Sequence, residues 1–171
     1  TDDYANLITA ANATVVGNAN SVTSNTTLTI DQADVLEGLN AASVYDIEDT
    51  YAAATIGTAT AVQAVDLTVS GTITVAKATL ALANLDGGAG EVTVNISDTA
   101  AAIASNITGG GATADAAGSV TISGNATVAQ AALIADQDNL IGGYAIVDTA
   151  AAIATAISTA NGDVTGDRAL I

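Results

Sequence analysis

The chain has 171 residues, half of them hydrophobic, and contains no Cys, His, Met, Phe, Trp or Pro. Two cationic residues, Lys77 and Arg168, face 18 acidic ones, for a formal net charge of -16. Together these exclude the usual zinc sites, Cys and His nucleophiles and disulfides, and leave no basic patch for nucleic acid or an anionic membrane surface.

Only 4 residues are aromatic, all Tyr, so the expected core is Ala, Val, Ile and Leu. Small side chains bury little area each, at roughly 25 cal/mol per Å². A thin stacked core suits that supply better than a ball does. No apolar run is long enough to be read as a transmembrane helix.

In chain order, residues 2–12 carry the phase of a helix whose fuller copies come later. Val22-Thr23-Ser24 reads as a short strand. Thr29 with Gln32 three residues on has the spacing of a capping box, and a helix should follow. Tyr45-Asp46-Ile47-Glu48 reads as a second strand, with Asp49 as the cap of a second helix. Leu67-Thr68-Val69 then repeats the first strand, and Thr74 the first cap, with Lys77 in place of the box residue. Val94-Asn95-Ile96-Ser97 and the cap Asp98 repeat the second strand and helix start. The third copy is the fullest. Ser119-Val120-Thr121-Ile122-Ser123 alternates with strand period, Thr127 and Gln130 restore the capping box, and Ala131 and Ile134 lie at helical spacing. Asp138-Asn139 and Gly142-Gly143 end that helix. Tyr144-Ala145-Ile146-Val147 is the next strand, and Asp148 caps a helix from Thr149 to Thr159 with Ile153 and Ile157 on one face.

The phase recurs about every 50 residues, which predicts an α/β repeat solenoid of about three strand–helix–strand–helix units with parallel strand stacking. The single repeat domain divides into a partial unit at 1–12, repeats at about 13–54, 55–104 and 105–154, and a C-terminal tail at 155–171. Equivalent strands should lie side by side: Val22–Ser24, Leu67–Val69 and Val120–Ile122. A doubly wound α/β domain is the alternative; the fixed phase and the lack of a glycine phosphate loop argue against it.

Asp98-Thr99-Ala100-Ala101-Ala102-Ile103-Ala104, Asp148-Thr149-Ala150-Ala151-Ala152-Ile153-Ala154 and Thr127-Val128-Ala129-Gln130-Ala131 resemble repeats of large bacterial surface and secreted proteins, of the adhesin-like and S-layer-like kinds. The resemblance implies a structural role at the cell surface or outside the cell. It brings no catalytic residues. The Gly- and Asp-rich calcium nonapeptides that accompany such proteins are missing, so calcium binding is not implied with it.

Among individual residues, Asp163, Thr165 and Asp167 alternate as in the first half of a calcium loop, making calcium the one candidate cofactor. Arg168 stands where such a loop usually has glycine, and the plainer reading is a polar turn. Asn12, Asn25, Asn106 and Asn125 head N-x-Ser/Thr sequons and are candidate glycosylation sites; a fifth, Asn95, falls inside a predicted strand. Asp136 and Asp138 form a carboxylate pair with no aromatic sugar platform beside it, and read as solvated residues rather than a glycosidase pair.

The first and last residues fall at nearly the same phase of the cycle, and neither end carries a distinct polar cap. End-to-end stacking with further copies of the chain is therefore expected, with Ala169-Leu170-Ile171 bridging between copies. The expected function is that of a non-enzymatic subunit of a filament, sheath or surface layer. A segment of a large adhesin, with its ligand site elsewhere, is the alternative.

Overall fold

A computed structural model describes residues 1–85, 91–159 and 169–170. Two short helices, α1 (Tyr4–Leu7) and α2 (Ala13–Gly17), open the chain. They precede β1 (Val22–Thr23), α3 (Ile30–Leu39), β2 (Ser43–Val44), β3 (Ile47–Asp49), α4 (Tyr51–Ile56) and α5 (Thr58–Ala61). The middle of the chain forms β4 (Asp66–Ile73), α6 (Val75–Asn84), β5 (Glu91–Thr99), α7 (Ala100–Thr108) and α8 (Ala112–Ala116). It continues through β6 (Ser119–Ser123), β7 (Asn125–Ala126), α9 (Val128–Ile134), β8 (Tyr144–Ile146), α10 (Ala150–Thr159) and β9 (Ala169–Leu170). None of the described helices is long and apolar enough to cross a membrane.

The chain forms two compact units, one of Thr1–Gly71 with Leu80–Thr93, the other of Thr72–Thr79 with Val94–Ile171. Both are α/β with parallel strand pairing. In the first unit Val22 pairs with Ser43 and Ile47 with Leu67, and single bridges join Asp2 to Ser24 and Leu28 to Ile47. In the second, Asn95 pairs with Ser119, Asn125 with Ala145 and Tyr144 with Ala169, and a bridge joins Val120 to Leu140.

These registers correct the expected strand neighbours. Val22–Thr23 lies beside Ser43–Val44, Leu67–Val69 beside Ile47–Asp49, and Val120–Ile122 beside Ile96–Asp98. The pairs join strands consecutive in the chain, not strands one sequence period apart. The reason is the length of the crossovers. A parallel pair needs a connection of roughly a dozen residues or more, and one helix such as α3, with 10 residues, plus its turns supplies it. Between Asp49 and Asp98, and again between Asp98 and Asp148, the chain makes two strand-and-helix crossings. The tail is corrected too: Ala169–Leu170, expected to bridge to another copy, pairs with β8 of its own chain.

The cores follow from the alternation read in the sequence. Leu67 and Val69 of β4 are buried between more exposed neighbours, as are Val92, Val94 and Ile96 of β5. Four of the helices contribute a small-residue contact: Ala33 of α3, Ala54 of α4, Ala78 of α6 and Ala131 of α9 are fully buried. Two tyrosines depart from the aliphatic expectation, because Tyr45 and Tyr144 are buried at matching places in front of β3 and in β8. Ile157, expected on one face with Ile153, is 56% exposed, and Ala152, Ile153 and Ala156 form the less exposed side of α10.

Candidate functional site

Three aspartates lie at or just past the ends of three strands, Asp49 in β3, Asp98 in β5 and Asp148 two residues after β8, and each makes the same pair of bonds. Asp49 Oδ1 accepts from the Thr50 N–H at 2.7 Å, and its Oδ2 from the Ile30 N–H at 3.0 Å. Asp98 accepts from Thr99 at 2.8 Å and from Val75 at 3.0 Å. Asp148 accepts from Thr149 at 2.7 Å and from Val128 at 3.1 Å. Ile30, Val75 and Val128 are the first residues of α3, α6 and α9, whose initial N–H groups have no partner inside the helix. Each carboxylate thus ties the end of one strand to the start of the helix that leads toward it, and places negative charge at the positive end of that helix.

This corrects the role expected for Asp49, Asp98 and Asp148. They do not cap the helices that follow them. Thr50 and Thr99 hold the N-cap positions of α4 and α7, accepting from Ala53 and Ala102 at 3.2 Å each. Thr149 accepts from Ala152 at 3.2 Å in the same way. The residue after the aspartate is better placed because its extended backbone sits directly before the first helical residue. The aspartate, one residue earlier, is in the strand at Asp49 and Asp98 and just beyond it at Asp148, and reaches sideways to a neighbouring helix.

The first-helix caps stand where the spacing put them. Thr29 and Thr127 close capping boxes with Gln32 and Gln130. Thr74 accepts from the Lys77 N–H at 3.4 Å. Asp2 repeats half of the aspartate pattern, accepting from the Asp3 N–H at 2.8 Å. The Asn6 side chain and the Asp3 N–H hold its carboxyl below the ordinary aspartate range.

Substituting Asp148 with Ala removes two charge-assisted bonds and exposes no other partner. We expect a loss of about 1–2 kcal/mol, read as a lower denaturation midpoint. Asp148→Asn should recover part of it, since one amide oxygen can serve only one of the two N–H groups well.

A second set of contacts was not legible beforehand. Asn40, 7% exposed, donates through Nδ2 to the carbonyls of Val16 and Ala19 at 2.8 Å each, and its Oδ1 accepts from the Ala42 N–H at 2.8 Å. In the second unit Asn139 donates to the carbonyls of Ala114 and Ala117 at 2.7 Å each, while its buried Oδ1 has no hydrogen-bond partner. The one signal was position: each Asn lies shortly after a first helix and before a strand.

Tyr45 donates its hydroxyl to Glu37, and Thr60 donates to Asp34. Burial, followed by the bond to Glu37, pushes the Tyr45 phenol well above its ordinary value. A phenol that ionises less readily when folded supports the fold below its unfolded pKa of about 10, and that support fades as pH rises further. Tyr45→Phe should therefore flatten the alkaline decline in stability, as followed by thermal melts across pH 8 to about 11.

The remaining candidates are scattered. Asp163, Thr165 and Asp167 lie outside the described residues. Among the described residues there is no group of three or more His, Cys, Asp or Glu able to hold a metal ion. Asp136 and Asp138 are exposed and line an open groove with Asp115. The groove beside Asp98 is formed by Val75, Ala102, Ser105 and Asn106. The Asn12 side chain donates to the Asn6 carbonyl at 2.9 Å, and Asn106 accepts from the Ala114 N–H at 3.0 Å. Asn25 and Asn125 are exposed.

No known protein family matches this chain, nor does any curated protein or solved structure.

Proposed function

We propose that the chain is a structural, non-enzymatic protein of the cell surface or extracellular space. It serves as a subunit or segment of a filament, sheath or surface layer, and its partner is another copy of itself. In this reading the strand-and-helix crossings within each unit are coils of a repeat solenoid, two to each sequence period of about 50 residues. The observation that carries the proposal is the threefold recurrence of the aspartate tie, at Asp49, Asp98 and Asp148, with the same atoms engaged each time. A side chain used to join one crossing to the next is a scaffold device. The carboxylates it consumes are committed to backbone N–H groups rather than presented to a substrate.

Parallel ladders such as β7–β8–β9 run in one direction, and an open ladder is a template for a further strand. Head-to-tail contact of that kind, repeated without closure, gives a filament. The formal charge of -16 opposes such contact. Calcium, or acidification toward about pH 4, should therefore promote association, and EDTA should reverse the calcium effect.

Negative-stain electron microscopy of the purified chain, with and without calcium and over that pH range, tests the proposal. Filaments or sheets that appear as charge is screened support it. Dispersed monomers under every condition overturn self-assembly. They would favour the second reading, a spacer segment of an adhesin, which the unscreened charge also favours.

A further inference from the structure

The five sequons differ in what the fold has already done with their side chains, and the differences single out one of them. Asn95 lies within β5, where its Oδ1 accepts from the Ser119 hydroxyl at 2.8 Å. Asn106 spends its side-chain oxygen on the Ala114 N–H, and Asn12 spends its side-chain N–H on the Asn6 carbonyl. Asn125 is exposed, but it sits in β7 paired with Ala145, and its Thr127 hydroxyl is occupied as the N-cap of α9. Asn25 and Thr27 are both exposed and lie outside regular structure; the Asn25 backbone N–H donates to the Asp2 carbonyl at 3.0 Å, while both side chains are left uncommitted. The residue between them is fixed: the Tyr4 N–H donates to Thr26 Oγ1 at 3.3 Å, and the Ser24 hydroxyl donates to the Thr26 carbonyl at 2.9 Å. The amide of Asn25 and the hydroxyl of Thr27, which a glycosyl-transferring enzyme must engage together, are thus both exposed and uncommitted on a surface loop.

We infer that Asn25 is an acceptor site for an N-linked glycan. The donor is an oligosaccharide joined through a diphosphate to a lipid. The Asn25 Nδ2 forms a bond to the anomeric carbon of the first sugar, the bond from that carbon to the diphosphate oxygen breaks, and the lipid diphosphate leaves with the electron pair. The Nδ2 proton passes to a base of the transferase. The product adds a bulky, solubilising group at the turn between β1 and α3, and the transfer breaks no hydrogen bond of the folded chain.

Use of this site in the cell rests on the extracellular reading, whereas the acceptor property does not. The purified, folded full chain is incubated with a single-subunit oligosaccharyltransferase and a lipid-diphosphate oligosaccharide, and glycopeptides are mapped by mass spectrometry. Glycan on Asn25 ahead of the other four sequons is expected. Asn25→Gln and Thr27→Val should abolish it, and Thr27→Ser should retain it, with unchanged circular dichroism in each case. An unmodified Asn25 in the folded chain, or modification of another sequon at an equal rate, overturns the inference. Glycan on Asn25 in this assay together with a cytoplasmic location in cells would instead defeat only the extracellular reading.

Discussion

Replacing Asn40 with Ala should cost about 3 kcal/mol and lower the melting temperature by on the order of 10 °C. The substitution strands the Ala19 carbonyl and the Ala42 N–H, and leaves the Val16 carbonyl with only its helical partners. A backbone group left without a partner costs its desolvation to the extent that it is buried, up to roughly 1–3 kcal/mol, and the bonds to Ala19 and Ala42 are part-buried. The cavity left by the amide adds to that. Asn139→Ala makes the comparison internal to the molecule. Asn139 serves two backbone groups and is less buried, so its removal should be milder. Chemical denaturation of both variants, read at constant m-value, checks the order. Equal effects would mean that the third bond of Asn40 contributes nothing.

Gly57→Ala is expected to be the other costly change, at about 1–3 kcal/mol. Gly57 joins α4 to α5, and a Cβ placed there collides with Cγ2 of Ile30, which is buried at the start of α3. The backbone of Gly57 has a φ of -90°, so conformational freedom is not the reason for glycine. Space is the reason, and this makes the prediction separable. In an Ile30→Ala background the collision disappears, and Gly57→Ala should cost far less than it does in the native chain. A double-mutant cycle measures that coupling directly. Additive effects of the two substitutions would place the collision elsewhere.

How much of this could be read from the residues alone depended on the range of the interaction. Thr29 and Thr127 were legible because a capping box is closed within four residues of chain and needs no tertiary knowledge. The alternation in β4 and β5 was legible for the same reason. The aspartate ties were half legible. Their recurrence stood out, but the usual preference for Asp at N-caps pointed to the following helix, while the second oxygen is committed to N–H groups about 20 residues earlier. The strand order departs from the expected one because a spacing of about 50 residues in the sequence is not one step of the sheet. Two crossings of similar length but different residues share that period. Asn40 and Asn139 are marked in the sequence only by their position after a helix and before a strand. Their partners are backbone carbonyls and, for Asn40, a backbone N–H, which carry no signature in the sequence.

Because the aspartate ties recognise backbone, they are indifferent to the side chain at the far end. Ile30, Val75 and Val128 occupy the donor position in turn, and the bond keeps its length within 0.1 Å. Such a connector travels well through duplication. A copied segment need conserve only the aspartate and an N–H opposite it, and the rest of the face is free to drift. Proline is the exception. It is ordinarily favoured at the first position of a helix, where a missing N–H costs nothing, but at these three positions it would delete the donor. A chain that relies on these ties therefore forgoes, at those three positions, a helix-start residue that most proteins use freely.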